Sequence, residues 1–341
     1  MTGAEPTGLD EPALHDWFRS LGLDVTGSLK LTRIGLGQSN LTFLVRDEEG
    51  RRWVLRRPPL GRLLASAHDV AREAGILSAL EHTGVPVPEV YGVYREGAAP
   101  LVLMEFVDGL VIDRLPDVEE VSAQARHAIG LSLAGTLATV HAVDLGRTGL
   151  ADLASHRPYA PRQLKRWSLQ WQKSRTRELP ELDRLTERLT AAVPEQRELS
   201  LVHGDYHLRN VITSPGVGTV TSVLDWELST LGDPMADLGT LLAYWPEPGE
   251  TAVAGSPASA CPGFPSRAEL VEAYAEQAGR DPATVGFWHA LGLWKIAIIA
   301  EGVLRRALDE PRNRAAEGTP TASLIEALVA RAAEVAADAG L

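Results

Sequence analysis

Cysteine is nearly absent from this chain. Cys261 is the only one in 341 residues, so an intramolecular disulfide and a cysteine-rich zinc site are both excluded, which fits a reducing compartment. A basic excess is missing too. Lysine and arginine number 33 against 45 aspartates and glutamates, a formal net charge of −12. That balance suits neither nucleic acid nor an anionic membrane, although it is compatible with cationic substrates. No apolar run is long enough to span a bilayer. The most apolar stretch, LGLWKIAIIAEGVL (291–304), contains Lys295 and Glu301 and is expected to be a buried helix. The opening MTGAEPTGLDEPALHDW lacks the basic start and apolar core of a secretory leader, so a cytoplasmic location is the expectation. No internal repeat is visible. What remains is an ordinary globular composition, 45% hydrophobic and 23% charged, with material for two or three average domains or one two-lobed enzyme.

Periodicity divides the chain. Residues 1–10 read as a polar tail and 11–22 as a short amphipathic helix. From 28 to 57 apolar and polar residues alternate, predicting three antiparallel strands joined by tight connections. Helical spacing over 66–84 places Val70, Ala74, Leu77 and Leu80 on one face, with Gly84 as the stop. VPVPEVYGVYRE and APLVLMEFVDG supply two more strands. After Gly109 the pattern becomes helical, over 118–143 and twice within 160–193. Strand-like pieces return only at 199–204, 210–213 and 219–225, and beyond 233 helices dominate again. The Gly/Pro/Ser-rich stretch 247–266 is long enough to be a mobile loop or a lid.

Four stretches carry candidate chemistry. In IGLGQSNLTFLV (34–45), Gly35 and Gly37 allow close backbone approach to a bulky ligand, and Ser39 and Asn40 offer hydrogen bonds to phosphate oxygens. A simple hairpin is the plainer reading there, and a strand rather than a helix follows, so this is neither a Walker nor a dinucleotide loop. In WVLRRP, Arg56 ends an apolar strand, and Glu73 in REAGIL could pair with it to hold nucleotide phosphates in register. Arg57 is adjacent and points to the opposite face, leaving the choice between the two arginines open. PLVLMEFVDG (100–109) either ends in a turn or links two lobes, its backbone facing an adenine edge. Finally, LVHGDYHLRNVI (201–212) permits two readings. His203, Asp205 and His207 alternate like metal ligands. Alternatively, Asp205 orients an attacking hydroxyl and takes its proton, while Asn210 and Asp225 of LDWE hold magnesium on phosphates.

The order of these elements resembles the protein-kinase-like fold, and more narrowly the aminoglycoside phosphotransferase and choline kinase group of small-molecule kinases. It covers residues 28 to 310. GLGQSNLTFLV, WVLRRPP, GRLLASAHDVAREAGILSAL, LMEFVDG and LDWELSTLGDPMADLG are similar to the phosphotransferase domains associated with acyl-CoA dehydrogenase families 10 and 11. The resemblance implies an α+β fold: a tail and helix over 1–27, a nucleotide-binding lobe over 28–108 with an antiparallel sheet and one helix, and a mostly helical catalytic and acceptor lobe over 109–341. Since no dehydrogenase sequence follows residue 341, a free-standing domain is expected.

The resemblance also implies roles. Asp205 matches the catalytic base, and Asn210 and Asp225 the magnesium ligands. Arg56 stands where many kinases use a phosphate-binding lysine, with Glu73 as its helix partner. Glu105 and Val107 match the backbone contacts to adenine, with Met104 behind them. His207 occupies a position facing the γ-phosphate, and Asp237 resembles the helix aspartate bracing the catalytic loop. ATP is the implied nucleotide, with GTP equally compatible because the linker contacts are backbone atoms. Asn40 stands where protein kinases carry a third loop glycine, and an arginine replaces the lysine. Too few residues lie between Asp225 and Asp237 for a peptide-docking segment, so the expected acceptor is a small hydroxylated molecule such as a hydroxyacyl-CoA, and no protein, nucleic-acid or membrane partner is expected. The alternatives are an antibiotic acceptor, aminoglycoside or macrolide; a metallohydrolase using His203, Asp205 and His207; and a member that binds nucleotide without catalysis. Arg126, Arg162, Lys165, Arg166, Lys173, Arg175 and Arg177 fit an anionic acceptor better than a polycationic one.

Overall fold

The computed structural model describes residues 10–34, 40–58, 69–96, 99–247, 250, 257–310 and 319–341. Gly35, Gly37 and Ser39 lie outside the described residues, as does much of the expected lid, at 248–249 and 251–256. The chain forms two compact units, residues 1–108 with 222–227, and residues 109–221 with 228–341.

In the first unit, α1 (Glu11–Ser20) begins where the Asp10 side chain accepts the Ala13 N–H at 2.9 Å, with a proline in the first turn. Its apolar positions Leu14, Trp17 and Phe18, at i, i+3 and i+4, are all buried. They cover a five-stranded antiparallel sheet of order β1 (Lys30–Ile34), β2 (Leu41–Arg46), β3 (Arg52–Arg57), β5 (Leu101–Glu105) and β4 (Val90–Tyr94). Alternation along the strands turns Phe43, Val45, Trp53, Leu55, Leu101 and Leu103 toward α1. Each such side chain contributes on the order of 1.5–3 kcal/mol when fully buried. The helix is therefore part of this core, whereas the sequence reading sets 1–27 apart. α2 (Val70–Leu80) starts at Asp69, whose side chain accepts the Arg72 N–H at 2.9 Å.

Residues 222–227 belong to this unit although the sequence reading assigns them to the second. Val223 N–H donates to Pro86 O at 2.8 Å, and Trp226 N–H donates to Glu73 Oε1 at 3.3 Å.

The second unit is mostly helical: α3 (Ala123–His141), α4 (Tyr159–Ser174), α5 (Pro180–Ala191), α6 (Met235–Ala243), α7 (Arg267–Ala278), α8 (Val285–Asp309) and α9 (Ala322–Asp338). Short strands β6 (Ser200–Val202) and β9 (Thr230–Gly232) pair antiparallel, and β7 (Val211–Ser214) pairs with β8 (Thr219–Val223), whose last two residues already belong to the first unit. β9 is unanticipated, since three residues are too short to show a period of two. The expected buried helix at 291–304 is the middle of α8. By length and composition α8 could cross a membrane, yet most of it is packed inside the unit. α6 meets it closely: a β-carbon on Gly239 would strike the Trp288 backbone, and one on Gly292 would lie 2.9 Å from Gly239 O. Only glycine permits that approach.

Candidate active site

In the first unit, strand alternation settles which arginine meets the helix carboxylate. Arg57 falls in phase with Trp53 and Leu55, is buried, and donates through Nε to Pro58 O at 3.2 Å. Arg56 faces the other way. Its Nη1 donates to Glu73 Oε1 at 2.9 Å and its Nη2 to Asp225 Oδ1 at 2.7 Å. Burial works against the Arg56 charge, but Glu73, Asp225 and Glu227 outweigh it and raise the guanidinium pKa. Burial also pushes the Glu73 carboxyl up to about 7 against the pull of Arg56, helped by Asp225 and Glu227. Glu73 Oε2 is buried without a partner among the described residues.

Asp225 sits at φ 64°, the one non-glycine residue with positive φ among the described residues. Aspartate tolerates the left-handed region better than most side chains, and backbone held there concentrates at functional sites. Asn40 is buried, and its Nδ2 donates to Glu227 Oε2 at 3.1 Å. The nitrogen that the sequence reading offers to a phosphate is thus already used, while Oδ1 is buried without a partner among the described residues. Met104 is buried on β5 opposite Val54, and Glu105 pairs across from Trp53, with Glu105 N–H donating to Glu89 O at 2.8 Å. Val107 is half-buried just beyond the strand.

In the second unit, the loop after β6 hangs from one carboxylate. Asp237, fully buried on α6, accepts the His203 N–H at 2.6 Å and the Gly204 N–H at 2.8 Å. His141 Nε2 lies 3.2 Å from the same carboxylate, and its Nδ1 lies 2.7 Å from Tyr274 Oη. Burial alone would raise the Asp237 carboxyl, but His141, His203 and the Gly204 N–H hold it below its ordinary value. Gly204 has φ 86°, and a β-carbon there would lie 2.7 Å from Leu228 O. Its own carbonyl accepts from Lys295 Nζ at 2.8 Å. The peptide before Asp205 is therefore clamped from α6 and from α8.

Asp205 is half-buried. Asn210 Nδ2 donates to its carbonyl at 2.8 Å and to Oδ2 at 3.2 Å. His207 Nδ1 accepts the Arg209 N–H at 3.3 Å, and its Nε2 lies 3.5 Å from Asp205 Oδ2. Burial would raise the Asp205 carboxyl; the His207 hydrogen bond and charge, with Lys295 and His203, hold it far below the usual carboxylate range. Such a carboxylate is a weak base but a firm hydrogen-bond acceptor, suited to aligning a hydroxyl. The Tyr244 ring stands 4.3 Å from the His207 ring.

The donor chemistry discriminates among metals. Among the described residues no group of three or more His, Cys, Asp and Glu side chains is arranged to hold a metal ion, so His203, Asp205 and His207 do not form the cluster a metallohydrolase needs. His203 Nδ1 instead accepts the Asp205 N–H at 3.3 Å. With its nitrogen committed, Asn210 presents Oδ1, and Asp225 has Oδ2 beyond its Arg56 contact. Each is a hard oxygen donor of the kind that magnesium takes.

Three of the cations expected to serve an anionic acceptor are occupied by structure. Arg126 donates to Pro262 O, Val118 O and Cys261 Sγ; Arg162 donates to Leu231 O; Arg177 pairs with Glu301 and Glu326. Lys165, Arg166, Lys173 and Arg175 are exposed on or just after α4. The cation beside Asp205 is Lys295, which sequence reasoning noted only as an interruption of an apolar run. Tyr244 and Glu227 were also missed.

Fold and loop together define the class, a kinase-like phosphotransferase acting on a hydroxyl of a small molecule. The chain belongs to the phosphotransferase enzyme family (APH), whose profile matches residues 30–288. It is 34% identical over 308 residues to acyl-CoA dehydrogenase family member 10 of Mus musculus, covering 88% of this chain and 29% of that protein. It is 35% identical over 307 residues to family member 11 of Rattus norvegicus, covering 87% of this chain and 39% of that one. The chain thus spans well under half the length of either relative. A crystal structure from Ralstonia eutropha, named for the aminoglycoside phosphotransferases, superposes with a TM-score of 0.77 at 30% identity, covering 96% of this chain and 98% of its own.

Proposed function

We propose that this enzyme transfers the γ-phosphoryl group of ATP, with magnesium, to a hydroxyl of a hydroxyacyl compound such as a hydroxyacyl-CoA. The observation that carries phosphotransfer is the Asp205 carboxylate, held ionised on a clamped loop with the Asn210 amide committed to it. The relatives named for acyl-CoA dehydrogenases support the acyl acceptor.

Asp205 accepts the acceptor's O–H and aligns its lone pair with the γ-phosphorus. As the new O–P bond forms, the bond to the β–γ bridging oxygen breaks and ADP leaves. The hydroxyl proton, made acidic by that transfer, passes to Asp205 and then to solvent. Positioning supplies most of the acceleration, so a weakly basic carboxylate suffices. Arg56, kept charged and fixed by Glu73, is assigned to the nucleotide phosphates. Asn210 and Asp225 are assigned to magnesium, which neutralises phosphate charge when bound.

An antibiotic acceptor is the second reading, favoured by the Ralstonia eutropha likeness. An ATP-consumption screen with mass detection of the phosphorylated product decides. Product from hydroxyacyl thioesters supports the first reading; product from aminoglycosides alone replaces it with the second.

A further inference from the structure

Lys295 is a cation that the reaction has not yet used. It lies in an apolar stretch of α8, and one of its three N–H bonds goes to Gly204 O at 2.8 Å. Its ammonium sits 5.6 Å from the centre of the Trp167 ring and its charge bears on Asp205. It lines a narrow cleft between α4, α6 and α8 together with Gln163, Trp167, Trp288 and Trp294.

That cleft presents several donors beside the hydroxyls of Tyr159 and Thr240. Trp288 Nε1 is buried without a partner among the described residues, and burying an indole N–H unsatisfied is costly. Gln163 gives its oxygen to Trp167 Nε1 at 3.1 Å, so its remaining polar end is an NH2 donor. Two further Lys295 protons join them. A carbonyl or carboxylate oxygen entering such a cleft would meet these donors, and its narrowness suits an atom of the acceptor rather than the whole molecule. An amine entering there would meet the Lys295 ammonium in a poorly solvated site, where like charges repel strongly.

We propose that Lys295, with the Trp288 indole, binds a carbonyl or carboxylate oxygen of the acceptor close to the hydroxyl being phosphorylated, and so selects hydroxyacyl compounds over amine-rich ones. This rests on the phosphotransfer reading above and adds a specificity-determining residue to it. Holding Gly204 is the second task of the same ammonium, and the two tasks are separable by experiment.

The test is steady-state kinetics of the full chain with a hydroxyacyl thioester and with a diol of matched chain length lacking the carbonyl. Lys295→Gln is expected to raise KM for the thioester about tenfold or more, in line with losing a charge-assisted hydrogen bond, while KM for the diol and for ATP changes less than about twofold. Lys295→Arg is expected to recover part of the loss. Trp288→Phe keeps the ring, removes the N–H, and is expected to raise the same KM selectively, so the proposal stays testable if Lys295→Gln melts early. Equal losses on both acceptors, with KM unmoved, would make Lys295 only a clamp on Gly204 and overturn the proposal. If the wild-type enzyme uses the thioester and both variants are neutral, the proposal falls and the functional reading stands. If the wild type phosphorylates aminoglycosides and no thioester, both fall.

Discussion

Arg56 reaches Asp225 Oδ1 across 2.7 Å while Asp225 holds its backbone at φ 64°, so one residue combines an ion pair with a left-handed conformation. Asp225→Asn keeps a side chain that tolerates this region, and Asp225→Ala does not. Alanine is expected to cost about 1 kcal/mol more stability than asparagine in urea melts. Both variants should weaken nucleotide binding in the presence of magnesium far more than in its absence, measured by titration calorimetry.

Asp205→Ala removes the carboxylate proposed to orient the hydroxyl. Turnover is expected to fall by about 10²–10⁴-fold. Nucleotide affinity should stay within about twofold, because Arg56 and the first unit are untouched. Undiminished turnover would remove Asp205 from the mechanism.

Gly204→Ala places a β-carbon 2.7 Å from Leu228 O at a φ of 86°. The expected loss is about 1–3 kcal/mol of stability, with a fall in kcat larger than any change in nucleotide affinity, since the strain moves Asp205. Chemical denaturation and single-turnover rates read the two effects separately.

His289 is buried on α8, with Nε2 lacking a partner among the described residues. Burial, then Arg267 and Arg331, push its pKa down to about 3, with Glu250 opposing. Between about 6.5 and 3 the unfolded chain binds a proton that the native chain refuses, so stability is full above about 6.5 and falls as the pH drops. The slope reaches about 1.4 kcal/mol per pH unit. His289→Phe is expected to flatten that slope in urea melts compared at pH 7 and pH 5. An unchanged slope would show that the ring takes up its proton in the native state.

The readable parts of this chain were those with a repeating or compact signal. Alternation marks β2 and β3 because α1 covers only one face, and the apolar spacing marks α2. The Asp205 loop is legible because its polar groups fall within a few residues of one another. Lys295 was not, because nothing local distinguishes it: its partner Gly204 lies far away in sequence and only the packing of α8 brings them together. Arg126, Arg162 and Arg177 misled for the converse reason. A charge count cannot tell a free cation from one already committed to a carbonyl or carboxylate in the fold.

The return of residues 222–227 to the first unit has a practical consequence for dissection of the gene. A fragment ending at Asp108 would keep α1, the sheet and α2, but would lack the Trp226 N–H on Glu73, the Asp225 carboxylate on Arg56 and the Glu227 partner of Asn40. The buried guanidinium and the buried glutamate would then have only each other. A fragment starting at Gly109 would carry those six residues without Pro86, Glu73, Arg56 and Asn40. The first unit is thus completed by a distant piece of chain, and neither half is a natural unit of expression.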